Sequence, residues 1–256
     1  MSYDRVYYED LNTHPFLFYV VFGVNMDDFS VSGERHHVDE IPEDVDLRIL
    51  TKESNGEYME GLIGQQIGNL LSKDKPELYE QVKETTTWAI FSGEVVKDVN
   101  LNYMKNTIGI IQALLETGAI GVLDLQTFSL YSSEEWKDKF FTPTFNPGSH
   151  VTILFSDMDD GSLWLHTRGL RKFGRPDVSI EDVSENDTKN ATDIINQMIY
   201  YSSKGTFFKK STKLHTPEGK SFIINPSFVE DYDNSDFNNA YYKLSWKECK
   251  ECTETE

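Results

Sequence analysis

Apolar and polar positions follow two different periods along this chain, and the two periods predict both strands and helices. Residues 16–24 are continuously apolar and rich in β-forming side chains, which predicts a buried central strand. Elsewhere apolar residues recur every three or four positions, which is typical of helices with one buried face. The predicted amphipathic helices cover 58–72, 101–117 and 188–203.

The first of these helices contains three glycines, Gly61, Gly64 and Gly68. Glycine lowers helix propensity by up to about 1 kcal/mol relative to alanine. We therefore expect these positions to let another backbone approach the helix closely.

A β-hairpin is predicted by residues 150–155 and 163–167, which flank Asp159-Asp160-Gly161, because Asp-Gly favours a tight hairpin turn. A second local unit is predicted where strand 85–96, helix 101–117 and strand 119–125 follow one another. That succession suggests at least one crossover connection.

These elements predict an α+β fold with a mixed, largely antiparallel sheet and packed helices. A chain of 256 residues fits one compact unit, 1–256. Prolines and a glycine at 142–149 mark a boundary between two sub-lobes, 1–145 and 146–248, which contain similar successions of elements. Residues 249–256 are predicted to be a charged tail.

The net charge of −19 limits the classes of molecule that the chain is expected to bind. Such a chain repels phosphate backbones and anionic lipid over most of its surface, so we expect neither nucleic-acid nor membrane binding. A basic protein partner fits the charge better. The chain shows no signal peptide, no run of about 20 apolar residues and no disulfide framework, which predicts a cytoplasmic protein.

Positive charge is concentrated in one glycine-containing stretch, 166–177, which has two alternative interpretations. In the first, the basic side chains hold a small phosphate or carboxylate, with two polar residues of a later loop as partners. In the second, the arginines pair with internal acids, Asp177 or the loop at 231–236. The candidate ligand-binding residues are Arg168, Arg171, Lys172, Arg175, Asp236 and Asn238.

His166 begins this stretch and is the weak candidate for a catalytic group, as a general acid or base. The alternative is a hydrogen-bonded structural histidine, which is the commoner case. No complete catalytic constellation supports the first interpretation.

Three partial motifs fail at decisive positions, so we expect no metal and no cofactor. Gly169–Pro176 has phosphate-loop spacing but carries Arg175 and Pro176 where lysine and a hydroxyl are required. Cys249 and Cys252 form a C-x-x-C without a second ligand pair. The Asp/Asn-rich segment 231–239 lacks the glycine and glutamate of a calcium loop.

Several sequence segments together resemble those of an uncharacterised bacterial family. They are Gly61–Leu71, Thr117–Thr127 with Glu134-Glu135-Trp136 behind it, Leu163–Asp177 and Asp236–Asn239. The resemblance spans about 58–246 and implies a bacterial, cytoplasmic, single-unit protein. The family is a domain of unknown function with no assigned reaction, so the resemblance implies no catalytic residue.

The sequence is consistent with two functions. The first is a non-enzymatic binding or interaction protein, which neutralises a basic protein partner in one version. The second is an enzyme or sensor for a small anionic ligand held by the 166–177 loop. The sequence leaves open whether the protein is an enzyme at all.

Overall fold

The structure is a computed structural model that describes residues 3–11 and 13–252. It has an α+β fold in which most strand pairs are antiparallel, as the sequence predicts. The strands are β1 (Phe16–Phe22), β2 (Val45–Thr51), β3 (Thr87–Glu94), β4 (Gly121–Asp124), β5 (Ser129–Ser132), β6 (Thr152–Asp157), β7 (Leu163–Arg168), β8 (Asp177–Val183), β9 (Thr212–His215), β10 (Ser221–Ile224), β11 (Ser227–Val229), β12 (Tyr241–Ser245) and β13 (Lys250–Cys252). The α-helices are α1 (Gly33–His36), α2 (Lys52–Ile63), α3 (Gln65–Asp74), α4 (Pro76–Glu84), α5 (Asn102–Leu115), α6 (Ser133–Lys139) and α7 (Thr188–Ser203).

The chain groups into two compact units. The first consists of Phe16–Asn146 with the described residues before Arg5, and the second consists of Arg5–Pro15 with the described residues from Pro147 onward. The chain therefore passes from the first unit to the second inside the proline-containing segment 142–149. The sequence contains no signal that assigns residues 5–15 to the second unit.

The first unit is built on a five-stranded sheet in the order β2-β3-β1-β4-β5. Strands β3 and β4 are each antiparallel to β1, so they run parallel to each other with β1 between them. Helix α5 connects β3 to β4. The predicted crossover is therefore present, but it spans the central strand.

One face of this sheet packs against the helices before β3. Alternate residues of β1, Val20 and Phe22, share a buried cluster with Trp88 of β3 and with Met59 and Ile63 of α2. The period-2 alternation places the other β1 residues on the opposite face, and α5 contacts β1. Helices therefore cover the sheet on both faces, and α5 itself is almost entirely buried.

The predicted helix 58–72 is wrong in its extent, because it is two helices, α2 and α3. The break lies at Gly64, which is extended, and at Gln65, which has φ 50°. A Cβ at Gly64 would lie 2.6 Å from the Glu60 carbonyl oxygen, and one at Gly68 would lie 2.5 Å from the Ile63 carbonyl oxygen. At both glycines the close backbone belongs to the end of α2 itself and not to a separate segment, and a Cβ at Gly61 would have nothing near it.

The second unit contains a five-stranded sheet in the order β11-β12-β8-β7-β6. The predicted hairpin is confirmed as β6 and β7, and β8 and β12 form a parallel pair. Helix α7 has the predicted bounds and packs against β7 and β8. A separate three-stranded sheet has the order β13-β10-β9.

The predicted charged tail differs from the structure in its first residues. Lys250–Cys252 forms β13 and pairs antiparallel with β10, whose Phe222 packs against the ring of Trp246 with centroids 5.1 Å apart. Residues 253–256 lie outside the described residues.

Candidate functional site

The basic stretch 166–177 leaves β7 through two left-handed glycines. Gly169 has φ 117° and Gly174 has φ 61°, and a short 3-10 helix, Leu170–Phe173, lies between them. At Gly174 a side chain is also excluded by space, since a Cβ would lie 2.7 Å from the Thr13 carbonyl oxygen. The glycines therefore shape the turn that returns the chain into β8.

Arg175 is buried, with 2% of its surface exposed, and its guanidinium group donates to several backbone carbonyls. Nη2 donates to the carbonyl oxygens of Gly205 at 2.6 Å and Glu9 at 2.7 Å, and Nη1 donates to that of Gly174 at 2.8 Å. This side chain holds residues 5–15 and the end of α7 against the turn.

Arg168 and Arg171 hold the later loop 231–239 in the same way. Nη1 of Arg168 donates to the carbonyl oxygens of Ser235 at 2.7 Å and Asp236 at 2.8 Å. Nη1 of Arg171 donates to the carbonyl oxygen of Asn238 at 2.9 Å. These arginines thus donate to carbonyls of the loop 231–239, and a planar guanidinium with five donors satisfies such carbonyls well.

The predicted ligand residues come together only in part. Asp236 and Asn238 lie beside Arg168 and Arg171, but their side chains are exposed and it is their carbonyls that the arginines hold. Lys172 is fully buried in the 3-10 helix, and Arg175 bonds to Glu9 and Gly205 instead. This geometry gives no support to an anion site on the stretch, because Arg168, Arg171 and Arg175 each donate hydrogen bonds to backbone carbonyls of the protein.

Asp177, at the start of β8, anchors the turn from inside. Its carboxylate is fully buried and accepts from the Thr167 hydroxyl at 2.7 Å, the Leu170 amide at 3.2 Å and the Asn239 side-chain amide at 2.8 Å. Burial raises the pKa of Asp177 to about 6, although the hydrogen bonds from Asn239 and Thr167 oppose the rise.

His166 lies in an aromatic cluster. Its ring stacks on Trp164 with centroids 4.0 Å apart and meets Phe237 edge-on at 5.5 Å. Nδ1 is buried and has no hydrogen-bond partner among the described residues. Burial lowers the pKa of His166, with Asp236 opposing and Arg168 adding to the effect. A neutral, enclosed ring suits packing better than proton transfer with a substrate.

The two remaining motifs behave as structural elements. In segment 231–239 the Asn234 side chain accepts from the Asp236 amide at 3.0 Å, which is a turn stabilised by a side chain. Cys249 is half-buried, and burial raises the pKa of its thiol to about 11, which disfavours a thiolate. In residues 3–11 and 13–252, no cluster of potential ligands suits a metal ion.

A feature that the sequence did not reveal is the outer edge of the second unit's main sheet. Strand β6 pairs with β7 on one side only, and its register runs unbroken from Thr152 to Asp157. Leu154 is 36% exposed, Phe155 is 50% exposed, and Met158 just beyond the strand is 41% exposed. Half of the N–H and C=O groups of an edge strand point outward and are available to another strand.

Natural edge strands are protected by charge, proline, bulges or shortness, and the other edges in the described part of the chain follow this rule. Strand β6 has six residues, Thr-Ile-Leu-Phe-Ser-Asp, with no charge before the last. Strands β5 and β11 have four and three residues. The other edges carry charges within the strand: Asp46 and Arg48 in β2, Lys213 in β9, and Lys250 and Glu251 in β13.

Negative charge borders one end of β6. Asp157 ends the strand, and Asp159 and Asp160 occupy the hairpin turn. The pKa of Asp160 is lowered, chiefly by the hydrogen bond from the Ser162 hydroxyl, so this carboxylate is ionised at neutral pH. An apolar strand edge therefore lies next to an acidic turn in the second unit.

Comparisons with known proteins identify no relative. No family model matches the chain, and neither the curated proteins nor the solved structures contain a significant match. The resemblance to an uncharacterised bacterial family stays a prediction. Among the helices of the described residues, none is both long and apolar enough to cross a membrane.

Proposed function

We propose that this chain is a non-enzymatic interaction protein that binds an extended, basic segment of a partner protein as an added strand along β6. The observation that carries the proposal is the six-residue edge with exposed Leu154 and Phe155 and no protecting charge before Asp157. Strand addition supplies affinity through main-chain hydrogen bonds and specificity through alternate side chains.

The edge and its turn specify the chemistry of the guest segment. Side chains on alternate residues of the guest meet Leu154 on one face of the sheet and Phe155 on the other. An antiparallel guest has its amino end beside Asp157, Asp159 and Asp160. The favoured guest is therefore apolar in its middle and basic at its amino end.

The net charge of −19 favours this guest over a second copy of the chain. Two such copies repel each other, whereas a basic segment is attracted toward the acidic turn. Because Arg168 and Arg175 are bonded to backbone carbonyls, the chain offers no comparable support for an anionic ligand on the basic stretch.

The test uses synthetic peptides of alternating valine and threonine that carry lysines at the amino end, lysines at the carboxyl end, or glutamates at the amino end. We expect the first peptide to bind most tightly and to shift the backbone amide resonances of β6 in the full chain. Equal affinity for the glutamate peptide, or resonance shifts confined to other strands, contradicts the proposal.

A pair of variants tests whether the peptide binds along β6 and not along the opposite edge of the sheet. Phe155→Lys adds a protecting charge to β6 and is expected to weaken peptide binding by about tenfold or more. Phe228→Lys changes a phenylalanine of similar exposure, 47%, on β11 at the opposite edge of the same sheet, and is expected to leave binding unchanged. If both variants bind the peptide as the wild type does, β6 is not the site.

A further inference from the structure

A groove in the first unit lies where two paired strands and a helix come together. Strand β2 begins where β3 ends, since Val45 pairs with Gly93, and α5 begins a few residues after β3. The groove lies between the segment before β2, the segment after β3 and the first turns of α5. Its volume is about 370 Å³, at the lower end of the roughly 300–1,000 Å³ range of small-ligand sites. A groove of this size suits one long side chain of a partner.

The segment after β3 gives the groove an apolar surface that solvent reaches. Val96 is 53% exposed and Val99 is 63% exposed, and both line the groove. A guest can therefore contact these two side chains without displacing any part of the protein. An aliphatic chain that covers them removes apolar surface from water on both sides of the contact.

The segment before β2 contributes negative charge. Glu40, Glu43 and Asp44 line the groove, and Lys97 is the basic residue among the described residues that line it. Lys97 donates to Glu43 at 2.8 Å, and its pKa is raised chiefly by this bond and also by the charges of Glu40 and Asp44. Glu40 and Asp44 form no ion pair within the described ranges. An ammonium group at this place is therefore attracted by three carboxylates.

Asn106 of α5 supplies an independent observation. It lines the groove although only 1% of its surface is exposed. Its Oδ1 accepts from the Asp39 amide at 3.1 Å, which fixes the orientation of the side-chain amide. Its Nδ2 has no hydrogen-bond acceptor in residues 3–11 and 13–252. A donor left without an acceptor in a buried side chain is costly, so it favours a guest with a carbonyl oxygen.

We infer that this groove binds a lysine of an extended, basic segment of a partner protein. The aliphatic stem of the guest lysine lies along Val96 and Val99, and its ammonium group lies among the three carboxylates. A backbone carbonyl of the guest accepts from Asn106 Nδ2. Lysine commonly covers apolar surface with its stem while its charged end stays in water, as this groove requires.

This inference does not rest on the proposed function. The groove belongs to the first unit and the β6 edge belongs to the second, so either site can fail alone. The net charge of −19 attracts a basic segment to both.

The test titrates the isotope-labelled full chain with the peptide acetyl-Gly-Gly-Lys-Gly-Gly-amide and records its amide resonances by NMR. We expect saturable shifts in residues 40–44 and 95–100 and in the side-chain amide of Asn106. The same peptide with norleucine in place of lysine keeps the stem without the charge, and it should bind more weakly by about threefold or more. Equal affinity for the two peptides, shifts confined to other residues, or no saturable binding overturns the inference.

Two charge changes separate this groove from a general attraction to an acidic protein. Asp44→Asn removes a carboxylate and should weaken binding of the lysine peptide by about threefold, whereas Lys97→Gln removes a competing ammonium group and should strengthen it by about threefold. The matched controls, Glu57→Gln and Lys73→Gln, change exposed residues of the same unit that lie outside the groove, and they should leave binding unchanged. If each variant binds as its control does, the attraction belongs to the net charge and the inference is overturned.

Two further measurements test other occupants. n-Butylamine is the lysine side chain without a backbone, and equal affinity for it would mean that the groove takes a free amine, which overturns the peptide guest. Sedimentation of the wild type and of Val99→Lys tests a second copy of the chain. A wild-type dimer that Val99→Lys dissociates would make the groove a contact between copies and would overturn the inference.

Discussion

At the scale of single residues, arginines that stand out by sequence prove to be bonded to the backbone. Arg175 is the strongest case, because the guanidinium group bonds to the carbonyls of Glu9, Gly174 and Gly205 from a buried position. The guanidinium reaches these carbonyls from three separate nitrogen atoms, whereas the donors of an ammonium group all start from a single nitrogen.

We therefore predict that Arg175→Lys lowers the free energy of unfolding by about 2–4 kcal/mol, because several buried carbonyls lose their donors. Arg171→Lys is the matched change on a half-buried arginine that donates to the Asn238 carbonyl, and it should cost less than about 1 kcal/mol. Urea denaturation of both variants measures the difference. Equal losses would mean that the buried hydrogen bonds of Arg175 stabilise the protein no more than the bond of Arg171.

Asp177 should give the protein a specific pH dependence. Its pKa is about 6 in the folded protein against 3.8 in the reference state, so the folded protein binds this proton more tightly. Burial, net of the opposing hydrogen bonds, therefore disfavours ionisation by about 3 kcal/mol, and the stability contributed by this group falls as the pH rises through the interval between these two values.

The variant Asp177→Asn removes this titrating group and places a second side-chain amide next to the amide of Asn239. We predict that the stability of the wild type relative to this variant is larger at pH 5 than at pH 7. Urea denaturation across this range measures the difference, and the comparison cancels the acids that titrate in both proteins. A difference that is constant or grows with pH would show that the carboxylate is not destabilised by burial.

At the scale of elements, the predictions succeed where the signal is local. The bounds of α7 and the β6–β7 hairpin follow from side-chain periods and from an Asp-Gly turn, which neighbouring residues specify. The single helix expected over 58–72 fails because Gly64 is extended and Gln65 has φ 50°, which ends one helix and begins the next. Helical spacing of apolar residues continues across that break, so the pattern alone does not reveal it.

The glycines of this region provide a prediction about α2 and α3. A Cβ at Gly68 would lie 2.5 Å from the Ile63 carbonyl oxygen and 2.5 Å from the Tyr79 hydroxyl, so we expect Gly68→Ala to destabilise the protein by about 1–3 kcal/mol. Gly61→Ala meets nothing and should stabilise it by about 0.5–1 kcal/mol through helix propensity. Thermal and urea unfolding compare the two variants, and a gain in both would show that α3 does not need the close approach at Gly68.

At the scale of the whole molecule, charge and strand order act together. The net charge of −19 narrows the class of partner without locating a surface. Strand order then places β6 at an edge and β7 and β8 inside the sheet, although all three are rich in apolar residues. Among the described residues the first unit has one sheet and the second has two, and the β6 edge belongs to the second unit.

The sequence by itself determined the fold class, the principal strands and helices, the hairpin turn and the acidic character, because each depends on residues close together in the chain or on composition. Only the tertiary structure decided what the arginines bind, since their acceptors lie up to 166 positions away. It also decided that β6 is the outer strand of its sheet, with β7 as its neighbour on one side. Which strand lies at an edge depends on how distant segments pair, and neighbouring residues do not specify that.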